Sequence, residues 1–269
     1  TDVLKSLAGD SLQRTLSKFT GGVPRAIMTG TIVTAIIQSS SATTLMTIGF
    51  VSAGLLTFTQ SVGVIIGANL GSTMIGWIVA VIGLNISVGS FALPLVGIGA
   101  FLRFLSNERY TPHGLVLAGF GMLFLGIGTL QEGMAGFTEN FSFESFTDGT
   151  LLMNVLLVII GLVMTVILQS SSTAMVITLT ALAASAINFE QAALLVIGQN
   201  IGTTVKAYVV TIGGTVQAKR TAITHISFNV ITAIIAFVLL PLLTSLIDTI
   251  RPLINDNDWT ISLAIFSTL

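Results

Sequence analysis

The sequence has no cysteine, two histidines and very few charges. Without cysteine the chain forms neither disulfides nor thiolate metal sites. Charged residues are 8% of the chain, against about 25% in a soluble domain. No charge occurs from Ala26 to Leu102 or from Gly149 to Phe189, which leaves too few Asp, Glu and His for a transition-metal site. A net charge of −1 argues against a nucleic-acid partner.

What the sequence does contain is long apolar runs. Hydrophobic residues make up 53% of the chain, and its mean hydropathy is +0.98. Both uncharged runs far exceed the roughly 20 apolar residues that span a bilayer. The sequence therefore predicts an all-α polytopic membrane protein, multi-pass in the inner or plasma membrane of a cell.

Two polar motifs interrupt these runs, and each occurs twice. The motif QSSS begins at Gln38 and again at Gln169, and GANLGST around Asn69 returns as GQNIGTT around Asn200. Both pairs are 131 positions apart (169 − 38 and 200 − 69). Two unrelated motifs that share one offset indicate internal duplication. Polar groups are costly inside apolar spans, so they indicate a functional site.

The duplication predicts the organisation of the chain. We expect membrane repeat 1 at residues 1–110, membrane repeat 2 at 111–250, and the start of a further segment at 251–269. On this register the apolar span His113–Leu130 belongs to repeat 2. Its partner in repeat 1 is expected to lie before Thr1, outside this chain.

Charges in corresponding loops predict how the repeats are oriented. Residues 1–25 carry four basic residues, whereas the corresponding 132–148 carries four acidic residues and no base. The segments 103–109 and 219–220 are basic, and their counterparts are not. Because basic loops face the cytoplasm, this asymmetry predicts two inverted-topology repeats. A parallel duplication with accidental charge asymmetry is the alternative.

The QSSS motif favours a break in a helix. It combines three hydroxyls with an amide, and serine competes for backbone hydrogen bonds. At a break, the free N–H groups that start the second half carry roughly half a positive charge and suit an anion. The carbonyls that end the first half suit a small cation. We therefore expect broken or re-entrant helices, with Asn69 and Asn200 beside glycines where the backbone can turn sharply.

These motifs, QSSSATT with GANLGST and QSSS with GQNIGTT, resemble the sodium–phosphate cotransporter family. The run from Arg220 to Asn229 resembles a segment that follows that family's second motif, although no such run lies near the matching Pro94. The resemblance covers roughly residues 20–240. It implies sodium-coupled symport of inorganic phosphate by alternating access, without enzyme activity and without a cofactor, and with sodium ions as co-transported ligands.

The resemblance also implies a set of site residues. Both QSSS motifs are expected to bind substrate: Gln38, Ser39, Ser40, Ser41, Gln169, Ser170, Ser171 and Ser172. Neighbouring hydroxyl and amide side chains are expected near sodium: Thr43, Asn69, Ser72, Thr73, Thr173, Asn200, Thr203 and Thr204. Further candidates are Lys206, His225 and Asn229. Lys206 could replace one cation or touch phosphate, or it could simply snorkel to an interface.

Charge balance supports cation coupling. Two helix N-termini together supply roughly one positive charge, so a divalent phosphate lacks about one more. No Arg lies in the motif segments, and neutral oxygen ligands suit sodium. Each ion then raises the affinity for the other.

Several alternatives stay open. The substrate could be another small oxyanion, or the protein could be an exporter. Two candidates come from other classes. One is a channel, and the other is an intramembrane hydrolase with a serine nucleophile and His225 or Lys206 as base. Expected partners are phosphate, sodium and the lipid bilayer. A homodimer and a soluble C-terminal regulatory domain outside this chain, as in bacterial members of the resembling family, are further expectations.

Overall fold

The computed structural model describes residues 15–83, 89–105, 110–138, 150–253 and 259–269, and these are helical with no strand. The helices are α1 (Val23–Ile37), α2 (Ser40–Ser52), α3 (Phe58–Ser72), α4 (Met74–Ile78), α5 (Gly89–Leu105), α6 (Thr111–Thr138), α7 (Leu151–Leu168), α8 (Ser171–Ala183), α9 (Phe189–Gly202), α10 (Thr204–Val210), α11 (Val216–Val238), α12 (Leu240–Ile250) and α13 (Trp259–Thr268). A π-helical segment, Val79–Gly83, continues α4, and a 3-10 turn, Arg251–Leu253, follows α12.

Five helical stretches are long and apolar enough to cross a membrane: Phe58–Val81, Thr111–Gly133, Leu151–Leu168, Phe189–Val210 and Val216–Val238. Large apolar side chains cover the outer surface, and Leu152 and Phe104 are 81% and 82% exposed. Exposed apolar surface of this extent marks contact with a membrane or another protein, and the five apolar spans indicate the membrane. The prediction of an all-α membrane protein is confirmed at this level.

The local structure repeats along the chain. Thr57 and Gln60 form a capping box at the start of α3, and Asn188 and Gln191 form the same capping box at the start of α9. These positions are 131 residues apart, like the polar motifs. The preceding turns also match, because Gly54 and Ser185 both adopt positive φ, at 70° and 56°.

Close helix packing repeats at the same offset. Gly30 of α1 lies against the carbonyl of Val64 in α3, and Gly161 of α7 lies against the carbonyl of Leu195 in α9. A Cβ at either glycine would overlap that carbonyl, so the backbones approach closely only because the side chain is absent.

Helix α11 joins the two halves of the chain. Near its start, the hydroxyl of Thr221 lies 3.2 Å from that of Ser61 in α3. Further along, Asn229 contacts residues of both α3 and α9. The candidate site therefore lies where α11 crosses both halves.

The final helix, α13, packs into the interior. Leu263 and Ala264 are fully buried, and the ring of Phe189 packs against Trp259 and edge-on to Phe266. Helix α13, in the stretch expected to start a further segment, therefore contributes Leu263 and Phe266 to the same apolar core.

The Asn motifs differ from expectation. Instead of a sharp turn, the backbone keeps right-handed geometry at Thr73 and Thr203, with φ of −70° and −61°. Gly67 and Gly198 act in helix packing, since a Cβ would strike the carbonyls of Ile27 and Val158. These glycines, at which the backbone could turn sharply, therefore lie within helices and serve helix packing.

Much of the charged sequence used to predict orientation lies outside the described residues. This applies to residues 1–14, to the uncharged loop at 84–88, to 106–109 and to 139–149. The inverted relation of the repeats therefore stays a prediction.

Candidate functional site

Both QSSS motifs break a helix in the same way. Helix α1 ends at Ile37 and α7 ends at Leu168, and the next residue, Gln38 or Gln169, adopts left-handed φ of 56° or 55°. This conformation costs about 1–2 kcal/mol for a residue with a Cβ. Because the left-handed conformation recurs at Gln38 and Gln169, the surrounding structure must stabilise it at both breaks. The predicted broken helices are present.

The helix that follows each break, α2 in the first copy and α8 in the second, is capped in the same way. The Ser39 hydroxyl accepts a hydrogen bond from the amide of Ala42 at 3.2 Å, and the Ser170 hydroxyl accepts one from Thr173 at 3.1 Å. These caps satisfy one amide of each helix, whereas the first turns of α2 and α8 keep other N–H groups without intrahelical partners. Each break therefore presents the positive end of a helix, as an anion site requires.

The glutamine side chains fold back onto the helices that they end. The amide of Gln38 donates to the carbonyl of Ala35, and that of Gln169 donates to Val166 at 2.6 Å. The Oε1 atom of Gln38 is buried and has no partner among the described residues. A buried acceptor without a donor is costly, so this oxygen is available to a cation or to a donor from a ligand.

Contacts join the two breaks. The Ser172 hydroxyl of the second break donates to the carbonyl of Gln38 in the first, over a long 3.4 Å. The ammonium of Lys206 in α10 donates to the carbonyl of Gln169. The structure thus brings both motifs to one region, with one lysine beside them.

Two cavities adjoin the breaks. A small cavity of about 10 Å³ is lined by Ser40, Ser41, Thr44, Leu45, Thr203, Lys206, Ala207 and His225. It has room for about one water molecule. A larger cavity of about 440 Å³ lies nearby and is within the usual size range of ligand sites. The serines are divided between them, because Ser171 lines the larger cavity. Thr203 lines both.

The larger cavity gathers most of the predicted sodium residues. Five of the eight line it: Asn69, Ser72, Thr73, Asn200 and Thr203. The hydroxyls of Ser72 and Thr203 donate to the carbonyls of Asn69 and Asn200 at 2.6 and 2.7 Å. A hydroxyl that gives its proton to the backbone keeps its lone pairs as acceptors, which a sodium ion could use.

The other three predicted sodium residues have local partners and line neither cavity. The Thr43 hydroxyl is bonded to that of Thr34 at 2.9 Å, and that of Thr173 to Ser170 at 2.9 Å. Thr204 donates to the carbonyl of Ile201 at 2.8 Å. These three threonines therefore do not lie in the cavity walls with the other five candidates.

Asn229 ties the two Asn motifs together. Its carbonyl oxygen accepts from the amide of Asn69, and its own amide donates to the carbonyl of Asn200 at 3.1 Å and to the hydroxyl of Thr203 at 3.0 Å. The side chain is fully buried, so these bonds hold α11 against both α3 and α9. His225, one turn earlier, lies 3.2 Å from the same amide.

His225 is a candidate base for the hydrolase alternative. One ring nitrogen faces Asn229, and the other, Nδ1, has no partner among the described residues. No serine hydroxyl in this part of the chain is therefore bonded to the imidazole. A Ser nucleophile would need such a base within hydrogen-bond reach.

Several polar residues of the cavity walls were not predicted, and Gln199 is the one with a clear chemical counterpart in the other motif. Gln199 is buried and donates to the hydroxyl of Thr178 at 2.7 Å and to the carbonyl of Ala174 at 3.3 Å. Its counterpart in the first motif is Ala68. This chemical difference between the two copies was the signal in the sequence that could have identified it.

Comparison with known proteins defines the class. Paired helix breaks, two adjoining cavities and an apolar outer surface are the features that a class assignment has to explain. The profile of the Na+/Pi-cotransporter family matches residues 1–132 and 142–253. The chain belongs to this family, which is a family of transporters.

Individual relatives agree with this assignment. Protein YqeW of Bacillus subtilis, named as uncharacterised, is 32% identical over 93% of this chain and 80% of its own length. The YjbB proteins of Salmonella typhimurium and Escherichia coli, named provisionally as inorganic phosphate export proteins, are 29% identical over 89% and 91% of this chain. The match spans only 44% of either YjbB protein. No solved structure matches the chain significantly.

Proposed function

We propose that the protein is a secondary active transporter of the cell membrane that couples sodium to symport of inorganic phosphate by alternating access. The observation that carries this proposal is the pair of identical helix breaks in contact through Ser172 and Gln38. Each break offers an amide-lined helix N-terminus to an anion and carbonyl oxygens to a cation. No Asp or Glu is among the described residues that line the cavities beside them.

In this proposal phosphate binds between the breaks, against the serine hydroxyls. The two helix N-termini contribute roughly one positive charge to a divalent anion, and cations must supply the rest. Sodium is expected among the oxygens of Asn69, Ser72, Asn200 and Thr203 in the wall of the larger cavity. The small cavity is far smaller than a phosphate ion in the conformation described, so binding requires the breaks to separate.

Alternating access would follow from the repeated architecture. If the repeats are inverted, a rocking motion of one against the other exposes a shared site to each side in turn. Helix α11 is bonded to both halves and would have to shift with them. Binding of both ions would favour closure because each stabilises the other.

The test is transport by the full chain in proteoliposomes. An inward sodium gradient should drive uptake of radiolabelled phosphate above its equilibrium level, whereas an equal potassium gradient should not. Unlabelled phosphate should compete, and unlabelled sulfate should compete poorly. Accumulation that is independent of sodium would contradict the coupling, and stronger competition by sulfate would contradict the substrate.

Export is the second candidate, and the names of the YjbB relatives favour it. The same vesicles test this direction when they are preloaded with labelled phosphate. An exporter oriented outward should release phosphate faster than it takes it up under matched gradients. Antibody or protease mapping of the orientation in the vesicles would assign the direction.

A further inference from the structure

We propose that Lys206 is a tethered cation: its ammonium permanently occupies, in the second half of the protein, the position that a free sodium ion takes in the first half. The inference rests on the proposed sodium-coupled function. It determines how many sodium ions the protein binds with each anion.

The contact made by Lys206 is the one expected of a bound cation. Its ammonium donates to the carbonyl of Gln169, the residue at which α7 ends in left-handed geometry. The C-terminal end of a helix carries roughly half a negative charge, so cations are stabilised there. Lys206 is only half-buried at this point, and it contacts the break rather than a loop.

The equivalent position in the first half lacks a cation. The residue 131 positions earlier is Ile75, which is buried. The carbonyl of Gln38 accepts only the long bond from Ser172, and the Oε1 atom of Gln38 has no partner in the described part of the chain. The first break therefore presents two weakly satisfied oxygens where the second presents an oxygen bonded to an ammonium.

The surrounding walls differ in the same sense. Beside Lys206, the cavity is about 10 Å³, so there is no room for an additional hydrated ion. Three residues of this small cavity have counterparts 131 positions away that line the cavity of about 440 Å³. Ser40 corresponds to Ser171, Thr44 to Met175 and Lys206 to Ile75. The serine is therefore present in both halves. The lysine is present in the second half alone, and the cavity beside it is much smaller than its counterpart in the first half.

Lys206 has no acidic partner in this wall. Among the described residues that line the small cavity there is no Asp or Glu, and the other ionisable side chain is His225. The ammonium is thus free to balance an incoming anion.

The test counts bound sodium on the purified full-length chain with radiolabelled sodium in a scintillation proximity assay. Three variants are compared with the wild type: Lys206→Met, Lys206→Arg and Ile75→Lys. Lys206→Met should bind one more sodium per molecule, because the vacated position accepts a free ion. Lys206→Arg should match the wild type, and Ile75→Lys should bind one fewer.

The inference is overturned if folded Lys206→Met binds as much sodium as the wild type or less. If Lys206→Met does not fold, as judged by size-exclusion chromatography, an unchanged count in folded Ile75→Lys overturns it. A wild type that binds no sodium contradicts the proposed coupling instead. In that case the free sodium of the first half is refuted as well, and a gain of one sodium in Lys206→Met would support only the lysine's role as the cation of the second half.

Discussion

At the scale of single residues, Ser40 and Ser171 test the shared site, because they begin equivalent helices but line different cavities. If phosphate lies between the breaks, Ser40→Ala or Ser171→Ala each removes a protein hydroxyl that contacts the bound anion. The loss should cost about 1–3 kcal/mol, or roughly 5- to 150-fold in phosphate affinity. The phosphate dependence of uptake measures it, and Ser245→Ala on the exposed face of α12 is the control. Unchanged affinity in both variants would refute the shared site.

Residue chemistry predicted the breaks but not Asn229's role in joining the motifs. A run of serines after a glutamine acts locally, so its effect on the backbone could be predicted from the sequence. Asn229 matters because α11 crosses both α3 and α9, and that crossing is set by the packing of the whole chain. The resemblance to a known family drew attention to Asn229, but no local pattern identified its partners.

At the scale of the helices, the glycines provide a sharp test. Gly30→Ala and Gly161→Ala should each lower the thermal midpoint strongly, because the added Cβ overlaps a carbonyl of the facing helix. Gly49→Ala and Gly126→Ala are matched controls, since nothing lies within 4 Å of a Cβ added there. In a helix these controls should be neutral or stabilising by up to about 1 kcal/mol. Thermal unfolding in detergent measures all four, and equal shifts at packed and open glycines would contradict the packing.

The role of the glycines in the Asn motifs also has a physical reason at this scale. Glycine permits either a sharp turn or the close approach of two backbones, and a short motif does not distinguish the two. Gly63, Gly67 and Gly71 recur every fourth residue, which places them on one helix face. That spacing is typical of helix contacts in membranes, and it was the sequence signal for packing.

For the whole molecule, the sequence predicted helical membrane architecture and duplication because long apolar runs and repeated motifs indicate them directly. The apolar runs require membrane spans, and the 131-residue offset recurs in capping boxes, turns and glycine contacts. Orientation rested instead on sparse loop charges, most of which lie outside the described residues. It therefore needs a measurement of its own.

That measurement uses the absence of cysteine. Thr59 and Glu190 are exposed, lie in the first turns of α3 and α9, and occupy equivalent positions in the two repeats. Single cysteines at these positions should react with a membrane-impermeant maleimide from opposite sides of the membrane, because inversion reverses equivalent turns. The unmodified chain, with no thiol, sets the background. Labelling of both cysteines from the same side would establish a parallel duplication and remove the rocking mechanism.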